Sequence, residues 1–380
     1  MREYLLVFLL AGVASYLLCV FARELAIRSG AVARVRDRDV HATPIPYFGG
    51  VAMLGGLGAG LLVARKLPFL STSQPAVFHD SRIVLIAGVM ICAVGVIDDL
   101  IELDALTKLG GQIVAAGFMV LNGVQLYSLN LPGVGQFSLD PTQGVLLAML
   151  LVVGTMNAVN FVDGLDGLAG GVVLIGAIAF FVFSYKLADA NGETLAITAA
   201  MLCAAMGGAC AGFLPHNFFP ARIFMGDSGS MLLGLVLSGS ALTLTGQFAT
   251  VSVKSGSAGD GSLPILLPIL LPVSILVVPL SDLVLAVVRR ARRGQAFYQP
   301  DKEHLHHRLL EIGHSQRRAV LIMWLWAWLI AFGGVLVSLY SGMLSWVLLA
   351  TGTLATVILT FILPRVQRPG EHRTEDHLVR

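Results

Sequence analysis

Charge is what this sequence has least of. Asp, Glu, Lys and Arg make up 13% of its 380 residues, where a soluble domain carries about 25%. With 56% hydrophobic residues and a mean hydropathy of +0.82, the chain cannot clothe a water-facing surface of its size, and a soluble globular class is excluded. Cysteine is also scarce. Cys19, Cys92, Cys203 and Cys210 all lie in apolar runs and none forms a C-x-x-C pair, so they read as small packing residues. Cys203 and Cys210 stand seven apart on one expected helix, too far along it to be bridged. Internal repeats and low-complexity domains are absent as well. The 42 glycines and 15 prolines fit a membrane bundle, where both are commoner than in soluble helices.

Long apolar runs are abundant. Eleven segments approach the ~20 residues needed to cross a bilayer: 4–22, 47–64, 83–97, 106–121, 143–161, 168–186, 195–213, 229–246, 263–285, 319–338 and 343–363. The third and fourth are the shortest, so ten crossings remain an alternative. Backbone inside hydrocarbon must satisfy its own hydrogen bonds, which makes each run a helix. The first run reads as a retained helix, because no small-x-small cleavage site precedes the basic segment after it. Prolines 264, 268, 272 and 279 predict kinks in the ninth run. The expectation is an all-α integral membrane protein: one multi-pass catalytic domain over 1–363, and a mobile cytoplasmic tail over 364–380.

Positive charge is unevenly shared between the two sides of such a bundle. The side holding the loop after the first run carries 19 of the 25 Lys and Arg residues, the other side 6. The positive-inside rule makes the first side cytoplasmic, with the N-terminus outside and the C-terminus inside. The polar clusters that composition does not explain all fall on that same side. They are Arg36-Asp37-Arg38-Asp39-Val40-His41, leading to Gly49-Gly50; Asp98-Asp99; Asn157 to Gly167; Asn217 to Ser230; and Asp301 with His304, His306, His307 and Arg308. Five separate segments thus bring carboxylates, amides and imidazoles to one membrane face, as a single polar site requires.

Each cluster has an ordinary reading beside the chemical one. Asp98-Asp99 ends an apolar run and serves equally as a solvated helix end. Two carboxylates at a helix C-terminus nevertheless oppose the macrodipole, which favours a cation nearby. Lys108 follows, with Gln112 one turn later on the same face. Asn157, Asn160 and Asp163 share a helix face, and Asp163-Gly164 and Asp166-Gly167 suit a tight turn. A turn does not account for two amides sunk in an apolar helix. Asp227 is either an N-cap or, beside the amides exposed by Gly226 and Gly229, a metal-holding carboxylate at an anion site. His304, His306 and His307 allow zinc, but the facing groups are hard oxygens, which suit Mg²⁺ or Mn²⁺. On that reading the histidines and Arg308 contact phosphates.

Taken together, five motifs resemble one family. They are Val40-His41-x-x-Pro44-x-Pro46-x-x-Gly49-Gly50; Asp98-Asp99 with Lys108; Asn157-x-x-Asn160-x-x-Asp163-Gly164-x-Asp166-Gly167-Leu168-Ala169; Gly226-Asp227-x-Gly229-Ser230; and His304-x-His306-His307. The chain resembles the polyprenyl-phosphate N-acetylhexosamine-1-phosphate transferases of glycosyltransferase family 4. Within them it is most similar to the bacterial undecaprenyl-phosphate GlcNAc-1-phosphate transferases.

The resemblance implies a bundle of ten or eleven helices with a cytoplasmic-face active site. It implies transfer of GlcNAc-1-phosphate from UDP-GlcNAc to undecaprenyl phosphate, giving polyprenyl-diphospho-GlcNAc and UMP. Asp227 with Asn160 would hold Mg²⁺ (or Mn²⁺) and the donor diphosphate. Asp98 and Asp99 would face the lipid phosphate, and Lys108 would steady the phosphates. Asp163 and Asp166 would lie near the nucleotide, with His41 and Asn157 among the substrate-binding residues. His304, His306 and His307 would contact the diphosphate or sugar. Asp39 stands where family members carry lysine, so no role passes to it. The expected partners are UDP-GlcNAc, undecaprenyl phosphate and bilayer lipid, with a homodimer allowed and no nucleic acid. Other UDP-hexosamines (GalNAc, a deoxy-aminosugar or MurNAc-pentapeptide) are the rival donors. A cation-coupled transporter is the rival class, but it would place polar groups at mid-membrane in two related halves.

Overall fold

A computed structural model describes residues 1–33, 44–72, 75–131, 135–191, 194–245, 315–340 and 342–361. Its helices are α1 (Arg2–Ser29), α2 (Gly49–Ala64), α3 (Pro68–Thr72), α4 (Pro75–Ile101), α5 (Ala105–Leu121), α6 (Pro141–Val162), α7 (Leu168–Asn191), α8 (Thr194–Asn217), α9 (Gly226–Thr245), α10 (Gln316–Leu339) and α11 (Met343–Phe361). Eight of these are long and apolar enough to cross a membrane, and α2 and α5 are shorter apolar helices. All ten fall on the expected runs, which makes this an all-α integral membrane protein. The ninth expected run and the tail over 364–380 lie outside the described residues.

Two features differ from the sequence expectation. The third crossing was bounded at 83–97, yet α4 continues through Asp98 and Asp99 to Ile101. The two carboxylates do not end the helix because tertiary partners hold both of them. In addition, an antiparallel hairpin joins α5 to α6: β1 (Ser128–Leu131) pairs with β2 (Gly135–Ser138), Ser128 opposite Ser138 and Leu131 opposite Gly135. Too short to cross a bilayer, the segment satisfies its backbone by pairing with itself.

Helix ends are set by local chemistry. Gly30 closes α1 at φ 79°, its amide donating to the carbonyls of Ala26 and Ile27, the left-handed stop that glycine adopts without cost. Asp104 caps α5 by accepting from the amides of Leu106 and Thr107, each at 3.0 Å. Asp140 and Gln143 form a capping box on α6, with Pro141 in its first turn. At the far end, Glu3 accepts from the amides of Phe69 and Leu70 and so ties α1 to α3.

Helix α9 is the mast of the bundle. Every side chain described as buried on it runs unbroken from Ser228 to Thr245, and α4, α6, α8 and α2 pack around it. Its own Ser230, Ser238, Ser240, Thr243 and Thr245 hydroxyls donate back to carbonyls of the same helix, and Ser228 to the Met225 carbonyl just before it, so a polar sequence becomes compatible with complete burial. α1 crosses α8 and α2, α7 lies on α8, α10 on α7, and α11 on α10 at the periphery.

Small residues permit these close crossings, because lipid offers no hydrophobic drive between helices. A Cβ on Gly208 would stand 2.1 Å from the Phe8 carbonyl oxygen, and one on Gly212 2.0 Å from that of Gly12. Gly212→Val therefore separates α1 from α8, at a cost of about 1–3 kcal/mol as for overpacking generally. Gly58 faces open space, so Gly58→Ala serves as the control. The expected outcome in detergent is a lower melting temperature for Gly212→Val and an equal or slightly higher one for Gly58→Ala, where alanine also favours the helix, read by thermal unfolding of the purified protein.

Candidate active site

One end of the bundle gathers the C-termini of α1, α4, α6 and α8 and the N-termini of α2, α5, α7 and α9. Backbone and side-chain ties between these ends fix the assembly. Ala31 accepts from Tyr47, Pro46 from Phe224, and the Arg23 guanidinium donates to the Arg222 carbonyl.

The turn entering α9 sits in a cradle of glycine. The amides of Gly49 and Gly50 donate to the carbonyls of Phe224 and Met225, both at 3.0 Å. A Cβ on Gly50 would fall 2.2 Å from the Gly229 nitrogen, and one on Gly95 of α4 2.3 Å from Ser228. Gly226 itself has φ 69°, and a Cβ there would strike the Asp99 carboxylate at 2.4 Å. Asp99 is the reason for that closeness. Its Oδ1 accepts from the Asp227 amide at 2.9 Å and its Oδ2 from the Ser228 amide at 3.4 Å. A carboxylate from the end of one helix thus caps the start of another, and the positive pole of α9 offsets the charge that the negative pole of α4 disfavours.

Asp227 is thereby aimed into a charged cluster. Its Oδ1 accepts from the Asn160 amide nitrogen at 2.7 Å, and that nitrogen also reaches Ser230 Oγ at 2.9 Å. Its Oδ2 accepts from the Lys108 ammonium, which pairs in turn with Asp98 Oδ2 at 2.9 Å. Asp98 Oδ1 meanwhile accepts from the Leu103 amide at 2.8 Å, closing the last turn of α4. The cluster holds three carboxylates against one ammonium. Beneath it, Gln112 and Asn157 form a reciprocal amide pair: Asn157 Nδ2 donates to Gln112 Oε1 at 2.7 Å, and Gln112 Nε2 to Asn157 Oδ1 at 3.3 Å.

Beside the cluster lies the turn after α6. Asp166, 5% exposed, accepts from the Ala221 amide at 2.9 Å. Asn217 accepts from the Gly167 amide and donates to the Ile223 carbonyl. The turn and the segment before α9 are therefore one braced unit. Asp163 ends α6 with partial exposure. Burial first, and then the negative charges of Asp227, Asp99 and Asp166, push its carboxyl up to about 7.

Of the residues singled out in the sequence, Asp98, Asp99, Lys108, Asn160 and Asp227 come together in the hydrogen-bonded cluster. Asn157 lies just below it, and Asp163 and Asp166 lie beside it. His41, His304, His306, His307 and Arg308 lie outside the described residues. Sequence reasoning did not find the cradle. Gly95 is a lone glycine in an apolar run and carries no signal, and Ser230 looked like the tail of a motif. Gln112 was visible only as a neighbour of Lys108 on one helix face.

A bundle of membrane-length helices with a part-buried, oxygen-rich and partly neutralised cluster at one end is an integral membrane protein with a site suited to charged groups. Comparison with known proteins gives the family. The model described as glycosyl transferase family 4 matches residues 81–245. The chain is 48% identical over 342 residues, 88% of its length and 82% of the relative's, to the decaprenyl-phosphate N-acetylglucosaminephosphotransferase of Mycolicibacterium smegmatis. It is 31% identical to the probable undecaprenyl-phosphate N-acetylglucosaminyl 1-phosphate transferase of Bacillus subtilis, covering 86% of this chain and 82% of that one. It is 30% identical to the phospho-N-acetylmuramoyl-pentapeptide-transferase of Mycobacterium bovis, covering 86% and 94%. The chain belongs to glycosyl transferase family 4, the polyprenyl-phosphate N-acetylhexosamine-1-phosphate transferases, and it is a membrane sugar-phosphate transferase.

Asp163 supplies a pH test. Its folded-state pKa of about 7 lies above the usual carboxylate value of about 4. The folded protein therefore keeps a proton that the unfolded chain has released, and stability falls as pH rises through that window, levelling off above it. In metal-free buffer, Asp163→Asn should melt higher than the parent at pH 8. Most of that gap should close by pH 5, as measured by thermal unfolding at a series of pH values.

Proposed function

We propose that this protein transfers GlcNAc-1-phosphate from UDP-GlcNAc to a polyprenyl phosphate at the cytoplasmic membrane face, giving polyprenyl-diphospho-GlcNAc and UMP, the first membrane step of a cell-envelope glycopolymer. The observation that carries this reading is Asp227, held on one oxygen by Asn160 and on the other by Lys108 at one end of a membrane bundle. The names of the two GlcNAc relatives support the sugar. The Lys and Arg excess on that side supports the cytoplasmic placement.

The donor set fits Mg²⁺. Asp227 and Asp98 offer hard oxygens, and among the described residues the cluster keeps an excess of negative charge. Asn160 commits its nitrogen to Asp227 and Ser230, which leaves its carbonyl oxygen as the atom a metal would take. Among the described residues no group of three His, Cys, Asp or Glu side chains forms a cage. Mg²⁺ is suited to that, since it is commonly held by one or two carboxylates and completed by water and substrate phosphate. When bound, it would neutralise charge on the diphosphate and on the departing UMP.

The chain's own residues then do the positioning, which supplies most of the catalysis in phosphoryl transfer. Lys108 draws phosphate oxygens toward Asp98 and Asp227. Asp99 holds the turn that aims Asp227. The lipid phosphate, with a second pKa of about 6, is largely dianionic at neutral pH and attacks the donor's sugar-bearing phosphorus directly. The bond broken is at phosphorus, so the anomeric configuration of the sugar is retained. His41, His304, His306, His307 and Arg308 belong to this reading as donor contacts. A phosphoryl-aspartate trapped on Asp98 or Asp99 would replace direct attack.

The acceptor's length and the donor's sugar are separate questions. Undecaprenyl phosphate was the expected acceptor, but the relatives at 48% identity carry decaprenyl in their names, so decaprenyl phosphate is the first acceptor to supply. The M. bovis relative makes the muramoyl-pentapeptide nucleotide a donor to include. The test follows UMP release by purified protein in nanodiscs with lipid phosphate and Mg²⁺. Release from UDP-GlcNAc should need both, and should fall about 100- to 1,000-fold in Asp227→Ala, on the order of other electrostatic catalytic groups. Turnover of a different UDP-hexosamine alone would keep the reaction and change the donor. A folded protein inert with every nucleotide sugar would overturn it.

A further inference from the structure

The charged cluster has a second tier one helical turn deeper. Gln112 follows Lys108 by four residues on α5, Met231 follows Asp227 by four on α9, and Asn157 precedes Asn160 by three on α6. Each is therefore the inward neighbour of a cluster member on the same helix face. Gln112 touches the other two. Gln112 Nε2 reaches Met231 Sδ at 3.2 Å and Asn157 Oδ1 at 3.3 Å. Asn157 Nδ2 reaches Gln112 Oε1 at 2.7 Å, and also the Val153 carbonyl at 2.8 Å. Gln112 is only 1% exposed and both of its amide atoms are used within this tier, while Asn157 closes the tier from its exposed edge.

A buried primary amide between membrane helices is expensive unless satisfied, and an apolar side chain would fill the same space. The geometry also leaves little freedom. A carboxamide is planar and its donor and acceptor are fixed, so the reciprocal pair is made at one relative rotation and one register of α5 against α6. The sulfur contact adds α9. These are the three helices that deliver Lys108, Asn160 and Asp227, and Asp227 is gripped by the other two on opposite oxygens. A rotation of any one helix sufficient to break the lower tier would swing its upper-tier residue out of reach.

We propose that Gln112 and Asn157 are a positioning couplet for the transfer reaction: the amide pair locks the rotation of α5 and α6, and through Met231 of α9, so that Lys108 and Asn160 hold the two oxygens of Asp227 in the reactive geometry. Neither residue need touch the reacting atoms for this role. The inference rests on the reaction proposed above and deepens the account of its site.

The test compares Gln112→Leu, Asn157→Leu, the double variant, and the exchange Gln112→Asn/Asn157→Gln, using the complete protein in nanodiscs with UDP-GlcNAc, decaprenyl phosphate and Mg²⁺. Each single leucine variant should lose about 10- to 100-fold in kcat, the scale of groups that orient other groups, with KM for UDP-GlcNAc within about threefold. The double variant should be about as slow as the slower single variant, and not slower still, because the two residues act as one unit. It should also melt close to the parent, since removing both partners strands neither. The exchange variant, which keeps two amides of the same total length, should regain part of the lost kcat. Recovery of kcat together with melting temperature in the double variant would show that the couplet only packs, and would overturn the inference. So would a kcat within threefold of the parent in both single variants. An inert parent would overturn the reaction and this inference together, whereas an active parent with indifferent variants would overturn this inference alone.

Discussion

Everything at the functional end depends on how one carboxylate is held. Asp227 begins a helix whose first turn is fixed from outside: by the Asp99 carboxylate on its amides, by the glycines of α2 and α4 that let backbone approach backbone, and by the Gly49 and Gly50 amides, which donate to the carbonyls just before it. Its side chain is then gripped on both oxygens by groups from two further helices. A side chain fixed at both its backbone and its head has little entropy left to lose when a substrate arrives, which is the condition for electrostatic preorganisation.

The adjacent carboxylates Asp98 and Asp99 do different work because successive residues on a helix point about 100° apart. Asp98 turns toward Lys108 and the open end of the cluster. Asp99 turns into the bundle and becomes the cap of α9. The unfavourable placement of two negative charges at a helix C-terminus is thus resolved twice, once by an ammonium and once by the positive pole of another helix.

Burial of polar groups in the mast helix follows the same logic. Serines and threonines on α9 return their hydroxyls to their own helix, so α4, α6, α8 and α2 can close around it without leaving donors unpaired. The small side chains gained in this way bring the helices close, and closeness lets short groups such as Asn160, Asp227 and Ser230 meet across helix boundaries.

The crossings were legible because a bilayer demands long apolar runs, and composition reports these directly. The cluster members Asp98, Asp99, Lys108, Asn160 and Asp227 were legible for the related reason that charge and amides inside such runs are costly and therefore conspicuous. The end of α4 lies past the two carboxylates that closed the expected run: Asp98 is held by Leu103 and Lys108 close by in sequence, and Asp99 by the amides of Asp227 and Ser228 far along the chain. The hairpin between α5 and α6 and the socket made by Gly95 left no local trace. Nor could the sequence tell Asp98 from Asp99, or reveal that Gln112 faces Asn157 across 45 residues of chain. Sequence alone determined which helices form and which residues cannot rest in lipid unaided, because those costs are paid locally. Which partner relieves each cost, and so which residue caps, pairs or positions, was decided only by tertiary structure, since those partners meet through the packing of helices distant along the chain.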